Sequence, residues 1–177
     1  METATKTTWA IDPMHSEIQF KVKHLVISTV TGSFGTFNGS VESESEDFDG
    51  ARVQFDADVD SITTGNTDRD NHLKSDDFFA AANHPKLIFD GQLKSKGDDY
   101  VLEGDLEIRG TKHAIALNVE YGGTATDPYG NVKSGFEING KINRKDYGLT
   151  WSAMTEAGGM VVSDEVKLHL NVQLARV

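Results

Sequence analysis

The chain has 177 residues, 37% of them hydrophobic, enough to bury one sizeable core and most simply read as one domain over residues 1–177. Its 17 basic and 28 acidic residues leave a formal charge of −11 spread along the chain; nucleic-acid phosphates and anionic bilayers repel such a surface, which argues against both as electrostatic partners. Cysteine is absent, so disulfides and thiolate chemistry are excluded. No apolar run approaches a membrane span, and the polar start over residues 1–8 predicts a cytoplasmic protein as given, or a periplasmic one if a leader has been removed.

Trp9-Ala10-Ile11 reads as a short extended piece broken at Asp12-Pro13. From Ser16 the alternation is clean: Ile18, Phe20, Val22 and His24 fall on one face, Glu17, Gln19, Lys21 and Lys23 on the other, as in a half-buried strand. The glycine-rich run from Thr31 to Val41 suggests a strand bent at barrel corners, and Glu42 to Gly50 a solvated acidic turn. Ala51, Val53, Phe55, Ala57 and Val59 then mark a second one-sided strand.

Alternation stops between Ser61 and Phe79. Asn66 or Thr67 can cap a helix there, Asp68 and Asp70 suit the positive end of its dipole, and Pro85 pushes His84 out of helical conformation, so the pattern predicts one short helix over about 66–82. Its apolar face is thin, so it must lie on something. A cation in the first turn is misplaced unless a partner holds it; Arg69 is expected to reach across to a carboxylate or an anionic ligand.

Beyond Pro85, Leu87-Ile88-Phe89 opens a strand that turns at Lys96-Gly97-Asp98-Asp99 into one carrying Tyr100, Leu102, Leu106 and Ile108 on one face. Arg109-Gly110-Thr111-Lys112 turns the chain into Ile115, Leu117, Val119 and Tyr121. Asp127-Pro128-Tyr129-Gly130 does the same ahead of Val132, Phe136, Ile138 and Ile142. Asn139-Gly140 has hairpin composition, but alternation stays in phase through Ile142, so Gly140 reads as a bend. Residues 143–148 leave the sheet for an irregular, partly helical link reaching Gly158-Gly159, and Val166, Leu168, Leu170, Val172 and Leu174 face inward from the last strand. About eight one-sided, mostly hairpin-connected strands predict an all-β fold: an antiparallel eight-stranded barrel, the size whose interior holds one small ligand.

Phe20, Val22, Phe55, Leu102, Leu117, Phe136, Leu168 and Leu170 are the candidate lining for an apolar ligand, although spacing alone does not separate a hollow barrel from a packed one. The six histidines lack His-x-His and His-x3-His spacing, which argues against a metal site; His24 and His113 read as interior or rim residues and His169 as outward-facing. Asp12, His15 and Ser16 have the residue types of a nucleophilic triad, but so tight a spacing reads as a turn with Ser16 bonded to backbone. Asp58/Asp60 and Asp76/Asp77 read as solvated surface rather than acid–base pairs.

Trp9-x-Ile11-Asp12-Pro13-x-His15-Ser16, Phe20-x-Val22-x-His24, Gly32-x-Phe34, Ser61-Ile62-x-Thr64 and Arg69-Asp70-x-His72-Leu73-x-Ser75-x-Asp77-Phe78 together resemble the YceI-like family of lipid-binding proteins. Pro85-x-x-x-Phe89, Gly104-x-Leu106-x-Ile108-x-Gly110, Gly135-Phe136 and Asn143-Arg144-x-Asp146-Tyr147-Gly148 extend the likeness over nearly the whole chain. The resemblance implies a lipocalin-like barrel whose tunnel holds a polyisoprenoid, such as an isoprenoid quinone or polyprenyl pyrophosphate, with no cofactor and no catalysis. It also implies a frequently periplasmic and dimeric protein. On this reading the helix closes or gates one end, and Arg69, His72 and Arg144 face a polar headgroup or hold the cap. An enzyme acting on an isoprenoid-like substrate and a ligand-free structural or stress-response module are the competing expectations.

Overall fold

The structure, a computed structural model, describes residues 6–25, 27–45, 47–151 and 162–177. Eleven strand segments run in chain order as β1 (Thr7–Ile11), β2 (Glu17–His24), β3 (Ser28–Phe34), β4 (Phe37–Ser43), β5 (Arg52–Asp58), β6 (Ile62–Thr63), β7 (Lys86–Lys96), β8 (Asp99–Ile108), β9 (Thr111–Thr126), β10 (Val132–Asn143) and β11 (Val162–Arg176). The helix α1 spans Thr67–Lys74. Pairing follows β1-β4-β5-β7-β8-β9-β10-β11, all antiparallel, and the pair Trp9↔Arg176 joins β11 back to β1, closing an eight-membered circuit. The expected barrel is therefore present.

The three further segments β2, β3 and β6 continue strands of that circuit. β1 and β2 lie end to end along β11, which pairs Leu174 with Ile11 and Asn171 with Glu17. Between them Pro13, which has no N–H to give a ladder, opens a 3-10 turn whose first free donor, Met14 N–H, bonds Asp12 Oδ1 at 3.0 Å. β3 and β4 break at Gly35-Thr36, and β5 reaches β6 through a 3-10 turn at Val59–Ser61 that buries Val59. Breaks of this kind let long strands wrap a closed barrel without losing their inward parity.

Gly140 sits inside an unbroken β10, as its phase demands. A Cβ built there would fall 2.1 Å from Leu117 Cδ2, so glycine is required because the neighbouring strand's leucine lies across it. The link after β10 is a 3-10 turn, Arg144–Tyr147, ended by Gly148 at φ 76; its expected continuation to Gly158-Gly159 lies outside the described residues.

The helix is shorter than expected. Asn66 Oδ1 accepts the Arg69 N–H at 3.0 Å as its cap, but α1 stops at Lys74 instead of near residue 82. Ser75 is extended and its hydroxyl takes the His72 carbonyl, while Phe79 and Ala81 N–H groups fold back onto Leu73 and Lys74 carbonyls. The cause is packing: Phe79 is needed against Phe34, at 6.3 Å between ring centroids, and Phe78 against Trp151, at 5.3 Å. A continued helix fixes the angle between neighbouring side chains, whereas the turns over 76–83 deliver the two rings to separate partners.

At the end of the barrel away from α1, the Glu42 to Gly50 connection is not simply a solvated turn. It carries Phe48, 5% exposed, into the barrel end against Trp9, Tyr100, Tyr121 and Phe136, at centroid distances of 5.1–6.3 Å. The Tyr100 hydroxyl accepts the Phe48 N–H at 3.3 Å. Five rings in tilted and edge-on contact make a floor.

Candidate ligand-binding site

The strands' inward parity would disappear from solvent if the barrel were filled. It does not. Phe20, Val22, Phe55, Ile115, Ile142, Leu168, Leu170 and Val172 all face inward yet keep intermediate exposure, because they border a cavity of about 370 Å³. That volume lies in the range of small-molecule sites. Hydrocarbon makes up nearly all of the wall, from Leu73, Phe78 and Phe79 at the α1 end to Leu93, Val119 and Phe136 above the aromatic floor. Trp9, Phe48, Tyr100 and Tyr121 stand outside it.

All eight residues expected to line an interior do border this cavity: Phe20 and Val22 from β2, Phe55 from β5, Leu102 from β8, Leu117 from β9, Phe136 from β10, and Leu168 and Leu170 from β11. Each alternates with an outward polar neighbour, so closing the sheet brings them together without any further signal. Polar groups on the cavity gather mostly at the α1 end, where Lys23, His24, Thr64, Arg69, His72 and Arg144 meet; Gln19, Ser40 and Gln54 contribute from the barrel wall. Lys23 and Arg69 are exposed, so this end communicates with solvent.

Arg69 has a partner, but not the expected carboxylate. Its Nε donates to the Thr64 hydroxyl and its Nη2 to the Thr64 carbonyl, both at 2.7 Å, and the Thr64 hydroxyl donates in turn to Asp70 Oδ1 at 2.6 Å. Asp70 Oδ1 also accepts the Thr64 N–H at 2.8 Å. The cation thus ties α1 to the segment leaving β6 through one threonine, and its charge is relayed to Asp70 rather than paired with it directly.

His72 lies at the same end, with Nε2 2.8 Å from Asp77 Oδ2 and its ring edge-on to Trp151 at 4.7 Å and Phe78 at 5.1 Å. Arg144 borders the cavity but its donors are committed to the wall. Nε bonds the Ser163 carbonyl and Nη1 the carbonyls of Leu149 and Trp151, at 2.6–2.9 Å, with Val162 at 3.4 Å from Nη2 and Asp164 Oδ1 at 3.6 Å. Burial lowers its pKa, opposed by the charge of Asp164. Its place among four carbonyls makes it a clamp on the chain at 149–151 and 162–164.

Arg109, in the left-handed region at φ 51, closes the rim by donating to the carbonyls of Phe78 and Gly148 at 3.1 and 3.3 Å. His113 shares the inward parity but is exposed at the rim, edge-on to Tyr147 at 5.3 Å. His169 faces outward, 2.7 Å from Asn139 Oδ1.

The residues with triad composition are a turn. His15 Nδ1 is 2.9 Å from Asp12 Oδ2, Lys133 Nζ is 3.3 Å from the same oxygen, and the Ser16 hydroxyl is spent on the backbone of Gln173. The His15 bond, helped by Lys133 and the Met14 N–H, holds the Asp12 carboxyl below the usual carboxylate range against the cost of burial.

Sequence reasoning missed Phe48, Trp151 and Arg109. A lone phenylalanine among Glu42, Glu44, Glu46, Asp47 and Asp49 was the available signal for the first, since an acidic loop has no use for an exposed ring.

A family model described as the YceI-like domain matches residues 9–174. A UPF0312 protein of Staphylococcus epidermidis is 35% identical over 170 residues, covering 96% of this chain and 98% of that protein. Among solved structures, a Campylobacter jejuni YCEI protein is 33% identical at a TM-score of 0.71, covering 86% of this chain and 88% of its own. Two more distant structures share the fold: Burkholderia cenocepacia BcnA, 19% identical with TM-score 0.78 over 92% and 98% of the two chains, and a polyisoprenoid binding domain from Saccharophagus degradans, 17% identical with TM-score 0.67 over 98% and 99%.

Proposed function

Because the chain belongs to the YceI-like family, we propose that its barrel binds an elongated apolar ligand, a polyisoprenoid such as an isoprenoid quinone or polyprenyl pyrophosphate, and stores or transports it. The observation that carries this reading is the continuous hydrocarbon wall of the cavity, open at α1 and floored by aromatic rings. Each methylene moved from water onto that wall gains roughly 0.8 kcal/mol, so a few prenyl units supply a useful affinity without any polar contact. The Saccharophagus degradans structure that shares this fold, described as a polyisoprenoid binding domain, supports the ligand class by analogy.

Binding is favoured over catalysis by the disposition of the polar groups. Arg144 is occupied by carbonyls, Arg69 by Thr64 and Ser16 by Gln173, while His72 is matched to Asp77, so they serve the wall and the rim. Native mass spectrometry of protein purified from its own host, with organic extraction of any adduct, tests the proposal. A mass excess released as an isoprenoid supports it; a bare mass combined with turnover of a prenyl substrate overturns it.

A further inference from the structure

Leu25 and Ile27 lie between β2 and β3, directly after Lys23 and His24 on the cavity rim. Ile27 is 85% exposed and Leu25 38%. Aliphatic side chains left in water at a hairpin tip have no structural purpose there. Leu25 in addition sits in the left-handed region at φ 56, a conformation that glycine or asparagine adopts at less cost, so the backbone does not call for leucine.

The charge around the tip is equally unusual. Residues 18–41 contain no aspartate or glutamate, a run twice as long as any other acid-free run in a chain of charge −11. Within it Lys21 and Lys23 point outward, opposite Thr31 and Thr29 of the neighbouring strand. The overall charge argues against docking by the whole surface, but screening confines that repulsion to about a Debye length. The hairpin itself presents two lysines and a greasy tip, and the carboxylates beside it, Asp164 and Glu165 in the β11 bulge, face Arg144, Lys145 and Lys141.

We propose that the β2–β3 hairpin is a membrane-docking finger: Leu25 and Ile27 enter the acyl region of a lipid bilayer, Lys21 and Lys23 meet anionic headgroups, and the cavity rim is set against the leaflet. The occupant is a bilayer because the tip is a narrow aliphatic point flanked by cations. A protein interface is built instead from a broad patch centred on aromatic and arginine anchors. The arrangement extends the ligand reading above, since an apolar guest handed over at a bilayer never has to cross water, but docking does not require that the cavity be filled.

Co-flotation with vesicles of equimolar phosphatidylcholine and phosphatidylglycerol tests it, using the full chain. The wild type is expected to float with the vesicles, Ile27→Glu to lose roughly tenfold or more of that partitioning, and the Lys21→Glu/Lys23→Glu pair to lose several-fold, with the lysine effect weakening as salt rises. Leu25→Asn, which suits the backbone there, is expected to fold normally and float less. Uptake of a fluorescent fatty acid in vesicle-free solution reports the cavity separately and is expected to be unchanged in Ile27→Glu and Leu25→Asn, neither of which touches a residue bordering the cavity. A wild type that stays unbound, or an Ile27→Glu variant that floats as well as wild type, overturns the proposal whatever the fatty-acid result.

Discussion

Arg69 grips Thr64 twice, by the hydroxyl through Nε and by the carbonyl through Nη2, each at 2.7 Å. Through this pair α1, none of whose own residues is buried, is attached to the barrel rim beside the open end of the cavity.

Arg69→Ala is expected to loosen α1 without unfolding the barrel. The group is exposed, so the loss in global stability should be about 1 kcal/mol or less. Amide hydrogen exchange across residues 67–74 should quicken, and a bound apolar probe should leave faster. Arg69→Lys should recover little, because an ammonium cannot make both bonds in the guanidinium's fork geometry. Unchanged exchange in α1 together with unchanged probe release would show that Arg69 does not fasten the rim.

Leu170 faces the cavity from β11, opposite Ile18 of β2. Replacing it with tryptophan pushes ring atoms into open space, so Leu170→Trp should abolish uptake of an apolar probe while leaving stability unchanged or raised by about 0.5–2 kcal/mol. In a solidly packed interior the same substitution would cost about 1–3 kcal/mol. The direction of the shift in Tm therefore reads hollow against filled directly.

Tyr147 is 1% exposed, and its hydroxyl has no hydrogen-bond partner among the described residues. Burial, with a smaller push from Asp146, raises its pKa to about 12 from an ordinary 10.0. A phenol that holds its proton longer when folded makes the unfolded state the one that ionises first, so stability should fall as pH rises from about 10 toward 12. Tyr147→Phe should remove much of that fall and, near neutral pH, match or exceed wild-type stability by up to about 1 kcal/mol, since no bond is lost. Urea midpoints at neutral pH and above pH 10 check both; a large loss in Tyr147→Phe at neutral pH would mean that the hydroxyl is bonded after all.

What could be read from residue order was whatever repeats every two positions. Leu168 and Leu170 are inward for the same reason that His169 is outward, and closure follows from having a single apolar face on every strand. Even Gly140 could be assigned by phase, although the reason glycine is needed there, the side chain of Leu117 crossing it, is a contact between strands that no local pattern records. The end of α1 was misjudged because Phe78 and Phe79 look like helix continuation until their separate partners are known. Arg69 was expected to reach a carboxylate or an anionic ligand, and in the structure its side chain bonds Thr64, a neutral partner that charge patterning does not point to. Arg144 was expected to face a headgroup or hold the cap, and the structure sets its planar array of donors among backbone carbonyls, an arrangement that residue order does not record.

Phe48 and the four rings around it give the barrel a blind bottom. On the proposed reading, a chain-like guest enters at the α1 end tail first, and the depth from threshold to bottom acts as a ruler: short chains rattle, matched chains seat, and longer ones trail their polar ends outside. Selectivity by length then comes from architecture alone, and moving the bottom, by trimming Phe48 to a smaller side chain, recalibrates the ruler without touching the door.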